Sequence, residues 1–137
     1  MAGGFSDYLE NEILDHIFGV GSYSAPATVY VGLATAACSD TTTGSIVTEP
    51  SGGSYARVSV TNSGTNWNTA SSGSISNKTA ITFPEATASW GEVTDFFIAD
   101  AATNGNILVW GDLTASKTIG TGDTASFAAG DLQISLD

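Results

Sequence analysis

An all-β domain carrying one short N-terminal helix is the fold class this sequence predicts, and three observations predict it. The composition is 42% hydrophobic but only 12% charged, with 16 Gly and abundant Ser, Thr, Ala and Asn as connectors, a mixture of short apolar runs and small polar links that fits strands better than helices. Apolar periodicity is helical only near the N-terminus and alternates thereafter. The alternating runs recur at near-regular spacing between turn-prone segments. Together these predict a mainly β protein, an antiparallel β-sandwich or jelly-roll-like domain of about seven or eight strands with a short N-terminal α-helix. Residues 1–22 are expected to form a helix and arm, and residues 23–137 the sandwich. A chain of 137 residues fits one domain and buries roughly two-thirds of its unfolded surface on folding.

The helix is expected from Ser6 to Phe18. Ser6 is placed to cap it, Asp7 and Glu10 favour the positive end of its dipole, and Gly19 supplies a left-handed terminator. Leu9, Ile13 and Ile17, flanked by Leu14 and Phe18, read as one apolar stripe. A helix this short is marginal alone, so the stripe must be covered by its own domain or by a neighbouring subunit; an inter-subunit contact is the expectation.

The strands follow in order. Val29, Val31 and Leu33 alternate with Tyr30, Gly32 and Ala34, which predicts a strand with one filled face. Ala56, Val58 and Val60 do the same opposite Arg57, Ser59 and Thr61. Ala80 to Phe83 is a third strand, ended by Pro84. Val93 to Asp100 and Asn106 to Leu113 form a hairpin across Asn104-Gly105. Lys117 to Ile119, Thr124 to Phe127 and Leu132 to Leu136 complete the set. The segments 38–53 and 62–78 lack periodicity and are expected as surface excursions. Trp67 stands out in the second, either as a plug onto the sandwich, the favoured reading, or as an exposed anchor.

Fourteen acidic residues against three basic ones (Arg57, Lys78, Lys117) give a net charge of −11. That balance excludes nucleic acid as an expected partner, since phosphate neutralisation needs clustered Lys and Arg, and it disfavours anionic membrane surfaces. No membrane association is expected: no run approaches the length of a span, and no signal peptide is recognised, so export by the Sec route is not expected.

The search for chemistry yields no catalytic set. His16, the one histidine, falls on the predicted helix, where a surface or interface role outweighs a triad role. Cys38, the one cysteine, reads as a buried or half-buried thiol, and no disulfide is possible within the chain. Asp95 and Asp100 are an odd number of residues apart on one strand, so they face opposite ways. Asp123 and Asp131 lie in Gly-Asp turns without calcium-loop spacing. Asn77-Lys78-Thr79 matches a glycosylation sequon, read as chance. The expectation is a protein that is not an enzyme, with no cofactor and no metal.

Several segments carry a family resemblance: Phe5 to Asn11 and on to Gly19, Tyr23 to Leu33, Gly52-Gly53-Ser54-Tyr55-Ala56-Arg57-Val58, Thr79 to Pro84, Ala88-Ser89-Trp90-Gly91 and Gly105 to Leu108. Together they resemble a family of small tailed-bacteriophage virion proteins labelled head decoration (cement) or tail fibre protein. The resemblance implies a virion structural protein assembled in the host cytoplasm. Capsid decoration stabilising the head lattice is the expected role, with a tail-fibre or neck-associated receptor-recognition or adhesion module as the alternative. It implies as partners the major capsid protein and copies of the chain itself, a homotrimer being expected. Leu9, Ile13, Ile17, Arg57 and Trp67 are the expected interface residues.

Overall fold

The computed structural model describes residues 3–136. Among them are one helix and nine strands: β1 (Gly3–Phe5), α1 (Asp7–Ile17), β2 (Thr28–Ala34), β3 (Val58–Thr61), β4 (Ser74–Ser76), β5 (Ile81–Thr82), β6 (Gly91–Ala99), β7 (Ile107–Ile119), β8 (Ser126–Phe127) and β9 (Gln133–Ser135). The mainly β, antiparallel class with one N-terminal helix is therefore what the chain adopts. A five-stranded sheet runs in the order β1-β7-β6-β2-β3, and two ribbons, β4-β9 and β5-β8, accompany it.

Alternation decides which face each strand buries. Val29, Val31 and Leu33 of β2 join Phe96 and Ile98 of β6 in the principal core, because successive side chains on a strand point to opposite faces. Ile81, Phe83, Trp90, Leu132 and the half-buried Phe127 and Ile134 complete that core, so the ribbons lie over this face of the sheet. On the opposite face, Ala34, Phe97, Ala99 and Ile107 form a second cluster closed by Cys38 and Val47. Residues 38–47, expected as an open excursion, thus cover a sheet face.

The hairpin turns where expected. The connection spans residues 100–106, within which Asn104 (φ 52°) and Gly105 (φ 71°) turn the chain in the left-handed region, and Asp100 braces the loop by accepting from Asn106 N and Nδ2, both at 2.8 Å. Two departures from expectation are instructive. The segments read as separate strands at 106–113 and 117–119 are one strand, β7, whose register against β6 jumps from Val93↔Lys117 to Asp95↔Asp112, leaving 113–116 as an outward excursion. β4 also lies within a stretch expected to be a loop, and pairs with β9 through Ile75↔Ile134.

The N-terminal segment is stitched to the sheet. β1 pairs with β7 through Gly4↔Trp110, and Leu9 enters the principal core. Ser6, 1% exposed, accepts from Leu9 N as the helix N-cap while its hydroxyl donates to Ile107 O. Its own N–H donates to Leu108 O at 2.9 Å.

Candidate interaction surface

The expected apolar stripe of α1 is divided in two. Leu9 is buried and Ile13 half-buried against the sheet, whereas Ile17 is 66% exposed. The reason is geometric: with 3.6 residues per turn, positions four apart drift, and the second step carries Ile17 about 80° away from Leu9. Ile17 instead shares an outward face with Leu14 (54% exposed) and Phe18 (75%), and Val20 (78%) follows beyond the cap.

The backbone that carries this outward face is closed by hydrogen bonds. Phe18 is the C-cap and donates to Leu14 O at 3.0 Å. Gly19 takes φ 75°, and Val20 N donates to Asp15 O at 2.9 Å, a Schellman-type closure that fixes the chain leaving the helix. Gly21 N donates to the same oxygen, and His16 Nδ1 accepts from Tyr23 N. Exposed Asp7, Glu10 and Asp15 flank the apolar face.

Arg57, an expected interface residue, is directed inward. Its side chain is 1% exposed and paired to Glu49 at 2.8 Å. Nε also donates to Glu49, NH1 donates to Ala101 O and Asn104 O at 2.8 and 2.9 Å, and NH2 reaches Gly44 O. All five guanidinium donors are thereby engaged within the chain. The guanidinium also lies 4.9 Å from the Phe97 ring centroid. Tyr55 donates to Glu49 Oε1 at 2.8 Å and accepts from Leu33 N, and burial pushes its pKa well above the ordinary phenol value. The residue is an internal clamp between two loops and the sheet, not a surface contact.

Trp67 is the plug of the two readings. It is half-buried against the principal core, bridges to Asn77, and its Nε1 donates to Asn62 Oδ1 at 3.1 Å. The residue that sequence reasoning missed is its bridge partner. Asn77 is fully buried; its amide donates to Thr79 O and Ala128 O and accepts from Leu132 N, each at 2.9 Å. The sequon that drew attention to this position concealed a structural amide.

Cys38 is buried, and its N–H donates to Asp95 Oδ2 at 2.9 Å. Burial, reinforced by the Asp95 charge, pushes its thiol up to about 12, the opposite of what a nucleophilic thiolate needs. Among the described residues no group of His, Cys, Asp or Glu is gathered that could hold a metal ion. A cleft of about 720 Å³ opens between the β7 excursion and β8, with Leu33, Phe83 and Phe127 at its apolar floor and exposed Lys117, Asp123 and Asp131 along its rim.

Residues 4–135 match the family model described as Podophage GP4 fiber I protein gp80. No curated protein matches the chain.

Proposed function

The chain belongs to the podophage GP4 fiber I protein gp80 family, and from that premise we propose that this virion protein is a structural subunit of a phage fibre, in preference to a head-decoration protein. The match across residues 4–135 carries the reading. The fold supports it: the polar loops are pinned by Arg57 and Asn77, while the outward face of α1 is left apolar. That division suits a body whose task is to hold shape and be held by neighbours, with copies of itself and other virion proteins as partners. An adhesion role falls to the cleft beside β8, whose apolar floor and polar rim fit the common pattern of a recognition site.

Immunogold microscopy of intact particles with an antibody against the chain tests the location, with label expected on the fibres. Label over the head shell returns the protein to capsid decoration. Competition of phage adsorption by the purified chain tests adhesion separately.

A further inference from the structure

We propose that the outward face of α1, formed by Leu14, Ile17 and Phe18 and extended by Val20, docks into an apolar groove rimmed by Lys and Arg on a different protein of the particle. The inference rests on the reading of the chain as a virion subunit and names the chemistry of the partner that holds it.

The face combines exposure with preorganisation. Its four side chains are 54–78% exposed, and large apolar side chains gathered at one place mark interaction sites, unlike single exposed ones. The helix is anchored at its N-terminus by Ser6 on β7, and its C-terminal turn is closed by the bond from Val20 N to Asp15 O. Little ordering entropy is then lost on binding.

Charge selects the occupant. Glu10 lies one turn before Leu14 and Asp15 one turn before Phe18, both exposed. The helix contains four acidic residues and neither Lys nor Arg. The patch also sits at the helix C-terminus, the negative end of its dipole, where a cation is favoured. A second copy would bring the same carboxylates and another −11 body, repulsion that physiological salt screens only beyond about 8 Å. A basic-rimmed groove instead gains from every one of these charges. The chain itself does not provide that rim: Arg57 is fully engaged inside, Lys78 donates to Gly64 O, and Lys117 lines the cleft beside β8.

The test uses the full chain and two synthetic amphipathic helical peptides with identical Leu faces, one with Lys and one with Glu on the polar face, followed by fluorescence anisotropy. The Lys peptide is expected to bind and the Glu peptide not. Raising salt from about 0.05 M to about 0.5 M should weaken binding about tenfold. The double variant Ile17→Ser with Phe18→Ser, which changes no charge and no buried group, should also weaken binding at least about tenfold with an unaltered circular dichroism spectrum. Equal binding of the Lys peptide to wild type and the double variant overturns the proposal, because attraction is then diffuse charge alone. Failure of the Lys peptide to bind overturns it too. If sedimentation velocity finds a wild-type dimer that tightens with salt and is dissociated by Ile17→Ser, the face belongs to a second copy and the proposal falls. None of these outcomes bears on where immunogold places the protein, so the fibre reading stands or fails independently.

Discussion

Gly32 of β2 lies directly opposite Phe97 of β6, and a Cβ on Gly32 would meet the Phe97 ring at 2.2 Å. The ring occupies the space the missing side chain leaves, and the Arg57 guanidinium lies over it, 4.9 Å from its centroid. Gly111 and Phe96 repeat the arrangement across β7 and β6, with a Cβ at 2.7 Å. Gly32→Ala is therefore expected to lower stability by about 2–3 kcal/mol or more through overpacking, read as a shift in the urea midpoint. An unchanged midpoint would mean that the ring can move aside without loss.

The divided helix stripe makes opposite predictions for residues two turns apart. Leu9→Ala should cost about 2–5 kcal/mol because a core position is emptied. Ile17→Ser should stay within about 0.5 kcal/mol of wild type. Thermal melts of the two variants check the division, and comparable losses would place Ile17 in the intramolecular core.

Arg57→Lys retains the charge but not the fork that serves Glu49, Ala101 and Asn104 at once. A loss of about 3 kcal/mol is expected, toward the lower end for a buried pair because Glu49 keeps some access to water. Faster amide exchange in residues 101–105 should accompany the loss, since the turn is released from its anchor.

For Asn77→Ala, Leu132 N loses its acceptor and the carbonyls of Thr79 and Ala128 lose a donor. The buried Leu132 N–H left without an acceptor costs about 1–3 kcal/mol, and the two part-buried carbonyls add less, so a clear loss of stability is expected. Chemical denaturation measures this directly.

Burial raises the Cys38 thiol to about 12 from an ordinary 9.0, which fixes the sign of one pH effect. Below the ordinary value the thiol is neutral in both states and this contribution to stability is fully present. Above it the unfolded thiol ionises while the folded one does not, so stability is lost at up to about 1.4 kcal/mol per pH unit as pH climbs toward the folded value. Tyr55 is raised for the same reason, so the window just above the ordinary thiol value isolates the cysteine. Cys38→Ala should flatten the slope there, as measured by urea midpoints across alkaline pH.

Much of the sheet was legible because its causes are local. β2 announces itself by the alternation of Val29, Val31 and Leu33, and the β6–β7 hairpin by Asn104-Gly105. β1 and β4 were not legible, because Gly-Gly-Phe and Ser-Ile-Ser carry no pattern and become strands only when β7 and β9 supply hydrogen-bonding partners. The helix was legible from its cap to its terminator, yet the exposure of Ile17 was not, since it depends on where the sheet touches the helix. Arg57 stood out as the one arginine of the chain and was expected at an interface. Its inward pairing with Glu49 and with the carbonyls of Ala101 and Asn104 follows from the fold alone.

The Asn77 clamp and the β4–β9 pairing also set an order of events in synthesis. Residues 74–77 find their partners at 128–135, so a ribosome-bound chain that has already emerged through the hairpin still lacks the strand that closes its middle loop. Until that strand arrives, Asn77 lacks Ala128 and Leu132 as hydrogen-bonding partners, and long-range pairing of this kind folds slowly. The middle of the molecule is thus closed by residues made well after it, and a chain interrupted before residue 128 leaves a sheet with its covering layer unfastened.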